Sequence, residues 1–294
     1  MNSSSHTLRQ CLMKKGDFNL VNDWCLSEGW NLGLHDSAAY YHTDPEGHFL
    51  FLENNHPVGA ISLVKHSNTF FTIGPFIVRK DLQNQHYGTT IWHRALQRLD
   101  AYPNAQVMLY AVPLQCPRYH ALGFKPTFDI QRWSLSVSPK QPSSSMSTPT
   151  LMTSEQTTKL IQYDKEIFSA SREKALRHLF TYPGVTPYLI EETSGTRGIG
   201  VIRPCHQGFR IGPLTADSLE EANRLIKRLI QTVSRGPILM DLPGGNDQRS
   251  KMMSDLGFVR NPHCDTLAMV KESLPPSFER HLHRQYAVFS LEIG

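Results

Sequence analysis

The chain has 294 residues, 39 % hydrophobic and 19 % charged, with 30 basic against 26 acidic side chains and a net charge of +4. That length suits two domains of ordinary size, and so small and evenly spread a charge argues against a dedicated nucleic-acid binder. The five cysteines are widely spaced with no Cys-x-x-Cys pair, and only His281 and His283 stand close among fourteen histidines, so no metal site or disulfide framework is expected. No apolar run approaches the roughly 20 residues that span a membrane. The polar stretch Met1 to Gln10 lacks the apolar core of a secretory signal, which makes the expected location cytoplasmic.

In chain order, residues 7 to 42 carry Trp24, Leu26, Trp30, Leu32 and Leu34, then Ser37-Ala38-Ala39-Tyr40-Tyr41, and read as one or two helices with a loop near Gly29 to Asp36. Three antiparallel strands are expected next, over His48 to Glu53, Val58 to Val64 and Phe70 to Val78, joined by the polar turns Asn54-Asn55-His56-Pro57 and His66-Ser67-Asn68. After the third strand comes a polar loop, Arg79 to Tyr87, then Gly88-Thr89-Thr90 and a helix with apolar positions 91, 92, 95, 96 and 99 on one face. A strand that turns through a short loop into a helix aims free backbone N–H groups at one point, which suits an anion such as a phosphate. Gln106 to Val112 is a further buried strand, followed by Pro113 to Phe124 and a last strand, Phe128 to Val137, expected to close the sheet.

The run Val78 to Gly88 resembles the acyl-CoA loop of the GNAT superfamily of N-acetyltransferases. Aligned on Gly88, Gln83 takes the Arg/Gln position, His86 stands where the first glycine should be, and Lys80 where a proline is usual. Since backbone N–H groups do most of the phosphate binding in such loops, and His visits φ > 0 more readily than most residues, a side chain at 86 is tolerable. Tyr119-x-x-x-Gly123-Phe124 is similar to the superfamily's second signature. The resemblance implies acetyl-CoA as co-substrate, held by Phe76, Ile77, Val78, Gln83, Gln85, His86, Tyr87, Gly88 and Thr89, with the pantetheine arm lying where two strands splay apart. It implies Tyr119 as the general acid for the departing thiolate, and an oxyanion site at a backbone N–H near Ile77 or Val78. The first helices would cover the acceptor side, although Trp24, Trp30, Tyr40 and Tyr41 read equally as core aromatics.

Residues 138 to 158 are rich in Ser, Pro and Thr and read as a linker. The second half restarts with helices over Glu155 to Asp164 and up to Phe180, then strands Pro187 to Glu192, Gly198 to Arg203 and Gly208 to Leu214. A helix over Leu219 to Val233 follows with an unbroken apolar stripe, then a strand Pro237 to Pro243 and Leu256-Gly257-Phe258. The order repeats that of the first half, so an internal duplication is expected. Phe168-x-Ala170-x-Arg172, Ile202-Arg203-Pro204, Arg210 to Leu214, Asp241-Leu242-Pro243 and the ending Phe289 to Gly294 resemble the C-terminal domain of a tandem GNAT family. The expected fold is therefore α+β: two GNAT-like domains, 1–137 and 159–294, each a mostly antiparallel twisted sheet flanked by helices.

The two loops that open onto a helix differ in charge. The first carries Arg79, Lys80 and His86 with Asp81 as its only acid, while the second carries Asp217, Glu220 and Glu221 and no glycine. Carboxylates stabilise a helix N-terminus but repel a pyrophosphate, so CoA is expected in the first half only. Candidates for the base are Glu53, His66 and Asp129, and from the second half Arg172, Arg210 and Asp241 could face the cleft. Three readings stay open: an acetyltransferase for a small-molecule or peptide amine, a protein-directed acetyltransferase, and a non-catalytic acyl-CoA sensor. Monomer and dimer are both compatible with the sequence.

Overall fold

The computed structural model describes residues 7–138 and 152–291. The first half runs β1 (Arg9–Leu12), α1 (Asp17–Ser27), α2 (Asp36–Thr43), β2 (His48–Glu53), β3 (His56–Lys65), β4 (Phe70–Val78), α3 (Tyr87–Leu96), β5 (Gln106–Ala111), α4 (Cys116–Ala121) and β6 (Lys125–Val137). The second runs α5 (Ser154–Phe168), α6 (Glu173–Leu179), β7 (Thr186–Glu192), β8 (Gly195–Cys205), β9 (Gly208–Ala216), α7 (Leu219–Ile230), β10 (Gly236–Pro243), α8 (Asp247–Asp255), β11 (Val259–Arg260), β12 (Thr266–Lys271), α9 (Pro276–His281) and β13 (Gln285–Ala287). Two expected strands have the bounds read from the sequence, β2 and β4. The short strand β1 sits in a polar stretch that carries no strand signal, and pairs with β2 at the sheet edge.

The strands form one mixed sheet in the order β1-β2-β3-β4-β5-β12-β6-β10-β9-β8-β7, with β11 paired to β6 and β13 to β9. The two halves exchange strands at its centre. Strand β6 does not close the first sheet as expected: β12, from the second half, lies between β5 and β6, and Ile130 to Val137 of β6 pair with β10. The hydrophobic pattern of β6 has no means of declaring which neighbour it takes, because both candidates present apolar faces. Two of the cores are accordingly shared. Phe70, Met108 and Phe128 pack with Phe168, Ala268 and Phe278, and Tyr40 and Val64 pack with Leu160, Leu176, Val201 and Phe289.

Each half also has its own helix-covered core. The stripe on α3 buries Tyr87, Ile91, Trp92 and Ala95, and that on α7 buries Ala222, Leu225, Ile226 and Leu229. Each large side chain so buried is worth about 1.5–3 kcal/mol. A buried ion pair ties the halves together: Arg203 on β8 donates to both carboxylate oxygens of Asp36 on α2 (2.6 and 2.7 Å) and to the Phe289 carbonyl at 2.5 Å. Removing one partner of such a pair costs about 3–5 kcal/mol, because the other charge stays buried. Of the expected linker, residues 139–151 lie outside the described residues. Residues 154–158 are already helical, since Thr153 and Gln156 form a capping box that starts α5 early.

Candidate active site

Strands β4 and β5 run parallel and pair from Phe70 with Gln106 to Ile73 with Leu109, and no further. From Gly74 to Val78, β4 stays paired with β3 through Phe76, Ile77 and Val78 while its other edge is left open by β5. The opening leads into a cavity of about 820 Å³. Its walls include Phe76, Ile77, Val78, Gln83, His86, Gly88, Thr89 and Tyr119, and exclude Gln85 and Tyr87. Those two expected ligands are engaged elsewhere through their side chains. Gln85 donates to the Asp81 carbonyl (3.1 Å), and Tyr87 is buried with its hydroxyl on Glu53 (2.5 Å).

The N-terminus of α3 faces the loop side of this cavity. His86 is its N-cap at φ 65, in the left-handed region, with no side-chain cap and no acid in the first turn. Thr90 N–H makes the first helical bond, to the His86 carbonyl (3.4 Å), so the N–H groups of Gly88 and Thr89 have no intrahelical acceptor. Gln83 braces the turn by donating to the Val78 carbonyl and to Glu28, both at 3.2 Å. Arg118 on α4, which sequence reasoning missed, reaches Thr89 Oγ1 at 3.5 Å and lies 5.8 Å over the Phe76 ring. A guanidinium beside the start of a helix makes a strong anion site. Any Cβ at Gly88 would stand 3.2 Å from Arg118 Nη2, so glycine keeps that approach open.

The second half has the same geometry, closed. Strands β9 and β10 also pair in parallel and also stop at an isoleucine, Ile211 with Met240, at the head of Ile211-Gly212-Pro213. The first half parts at the matching tripeptide, Ile73-Gly74-Pro75. Here β13 fills the gap: it pairs with β9 at Thr215 and Leu214, and Val288 N–H donates to the Asp241 carbonyl on β10 (3.1 Å). The N-terminus of α7 is capped by Ser218, whose hydroxyl accepts from Glu221 N–H and bonds the Glu221 carboxylate. Asp217 beside it is held by Arg197 (2.7 Å), Arg284 (2.5 Å) and the Tyr163 hydroxyl (2.7 Å).

Tyr119 lines the cavity with its ring against Trp92 (centroids 5.4 Å apart) and Phe124 (6.2 Å). Burial pushes its phenol up to about 12, so it stays protonated across the working range of pH. None of the expected bases reaches the cavity. Glu53 holds Tyr87, His66 is buried against Thr72 (2.9 Å) and pushed down to about 3 by burial, and Asp129 accepts from Gln131 (2.9 Å). The residues expected from the second half are ion-paired: Arg172 with Asp164 (2.6 Å), and Asp241 with both Arg132 (2.7 Å) and Arg210. Among the early aromatics only Trp30 lines the cavity; Tyr40 is core, and Trp24 and Tyr41 pack on the core of α1. The second half contributes differently, through His263, Cys264, Thr266 and Leu291 on the far wall.

A parallel strand pair that parts to open a groove, with an uncapped helix N-terminus behind it, defines the fold of an acyl-CoA-dependent N-acyltransferase. The chain belongs to the GNAT acetyltransferase superfamily and carries two such domains in tandem, residues 30–133 and 160–287 each matching an acetyltransferase (GNAT) domain model. It is an acyltransferase. It is 25 % identical over 279 residues to a holothin acyltransferase of Pseudoalteromonas sp. (strain SANK 73390), covering 95 % of this chain and 92 % of the relative. Two solved structures share the fold. One is an acetyltransferase-assigned protein of Pyrococcus horikoshii (TM-score 0.74, 18 % identity, 100 % and 98 % of the two chains). The other is a GCN5-related N-acetyltransferase of Sphaerobacter thermophilus (TM-score 0.60, 12 % identity, 91 % and 96 %). No described helix is long and apolar enough to cross a membrane.

Proposed function

We propose that the chain transfers an acetyl group from acetyl-CoA to the amino group of a small molecule or short peptide, within a ternary complex and in the first half only. The carrying observation is the contrast between an open strand edge before an uncapped helix in the first half and a filled edge before a capped, acidic helix in the second. In this reading the pyrophosphate sits on the N–H groups of α3 beside Arg118, and the pantetheine arm lies along Phe76 to Val78. The acceptor amine attacks the thioester carbonyl, the C–S bond breaks, Tyr119 gives its proton to the departing thiolate, and the proton shed by the acylated nitrogen returns through water to the Tyr119 phenolate. We take residues 1–137 as the acyl-CoA half and 159–294 as a half that builds the acceptor wall. A small acceptor is favoured by the relative's name, holothin acyltransferase.

Thiol release from acetyl-CoA in the presence of an amine library tests the reading. Tyr119→Phe is expected to lower kcat roughly 100-fold and to leave acetyl-CoA affinity unchanged. An unaltered kcat removes Tyr119 from the mechanism, and no turnover with any amine removes the enzyme reading in favour of a sensor.

A further inference from the structure

The segment that fills the second groove continues out of it and into the first half. After β13, Val288 N–H donates to the Asp241 carbonyl on β10 (3.1 Å). Phe289 is buried, with the Arg203 guanidinium 4.9 Å over its ring, that of Arg172 5.5 Å away, and Tyr40 of α2 against it (centroids 4.9 Å apart). Arg203 also donates to the Phe289 carbonyl, to the Gly212 carbonyl where β9 and β10 part, and to Asp36 of α2. One buried guanidinium therefore ties this segment both to the second groove and to the first half. Ser290 is fully buried, and Leu291, the next residue, lines the first half's cavity.

The side from which Leu291 enters decides what it meets. On β5 the residues Val107, Leu109 and Ala111 pack towards α3, whereas Met108 and Tyr110 pack on the opposite face, as strand alternation requires. Leu291 packs with Met108 and Tyr110. It thus borders the cavity from the face away from α3 and Arg118, where the anion site lies. Trp30 and Ile77, which also line the cavity, belong to the core under α1 and add apolar surface on the acceptor side. A leucine at the end of so firmly held a segment cannot swing aside as a loop residue would. Apolar length that fits against such a wall gains about fourfold in binding per methylene, and length that overlaps it is rejected, because packed side chains yield little.

Resting on the acyltransfer reading above, we propose that Leu291 sets the length of acceptor the cavity admits, as an apolar stop held in place by the filled groove of the second half. The test uses the straight-chain primary amines from propylamine to decylamine as acceptors with acetyl-CoA. Their amino groups are nearly equal in basicity, so length is the variable. In the wild type kcat/KM is expected to climb about fourfold per methylene to a limiting length and then to fall. Leu291→Ala, which removes three carbons, moves that limit outward by about two or three methylenes, and Leu291→Trp moves it inward. Acetyl-CoA affinity measured calorimetrically stays unchanged in Leu291→Ala. Leu282→Ala, in the same core but off the cavity, leaves the limit where it was. A limit that neither Leu291 variant moves, or that Leu282→Ala moves equally, overturns the proposal. So does a Leu291→Ala enzyme that gains hexanoyl-CoA as donor while its amine limit stays fixed, since the stop then borders the acyl chain. Wild type that binds acetyl-CoA and acylates none of the amines overturns it too, and wild type that binds no acetyl-CoA overturns the acyltransfer reading instead.

Discussion

The two halves part their strands at the same tripeptide, yet one leaves an open groove and the other fills it with chain. Beyond Ile73 the open edge of β4 faces the cavity, while beyond Ile211 the edge of β9 is taken by β13. The helix behind the first edge has no cap and no acid in its first turn; the helix behind the second has Ser218, Glu220 and Glu221. One scaffold thus presents its backbone to a ligand or to itself. The difference lies in what satisfies the strand edge and the first helical turn, not in the fold.

The largest expected effect comes from separating the halves. A chain ending at residue 138 loses β12 from between β5 and β6 and exposes the apolar face of Met108, Phe128 and Ile130. It is expected to melt without a cooperative transition by circular dichroism; a cooperative melt that acetyl-CoA shifts upward would show the first half to be self-sufficient. Next comes a matched pair at the two helix starts. Gly88→Glu places a carboxylate and its bulk against Arg118 and is expected to abolish acetyl-CoA binding. Ser218→Ala at the start of α7 should cost about 1 kcal/mol of stability and leave that binding untouched.

A third test turns on acid. Burial holds His48 down to about 4 and His66 down to about 3, against an ordinary 6.5. Both imidazoles are therefore neutral when folded, and the unfolded chain binds more protons below pH 6.5, so stability is full above that value and falls as the pH drops toward 4 and 3. The loss when complete is on the order of 3 kcal/mol for His48 and roughly 5 kcal/mol for His66. The melting temperature should decline steadily from pH 7 to pH 5, and a flat profile there would contradict the assignment. The smallest effect belongs to His86. At φ 65 it occupies the place of the family's glycine, so His86→Gly should change acetyl-CoA affinity and melting temperature little, because the backbone and not the imidazole meets the phosphate. A large loss of affinity would give the side chain a direct role.

Much of the first half was legible. The strand Phe70–Val78 and the stripe Ile91, Trp92, Ala95 show plain periodicity, and the charge contrast between the two loops matches the uncapped start of α3 and the capped, acidic start of α7. What was hidden depended on distant partners. The exchange of β6 and β12 is a choice among equally apolar neighbours, and no local pattern encodes it. The filling of the second groove rests on Gln285–Ala287, three residues near the end of the described chain. Arg118 is one exposed cation among many until α4 turns it toward Gly88. The ion-paired Asp241 shows the converse: a carboxylate that reads as free to face the cleft is held by two guanidiniums. One signal was present and unread, the repeated Ile-Gly-Pro at 73–75 and 211–213 that marks where each strand pair opens.

The most direct test of a single open groove is the stoichiometry of acetyl-CoA binding to the full chain by isothermal titration calorimetry, beside Gly88→Glu. The account predicts one molecule bound per chain in the wild type and none in the variant. Two molecules per chain, or one that persists in Gly88→Glu, would place a site in the second half and contradict it.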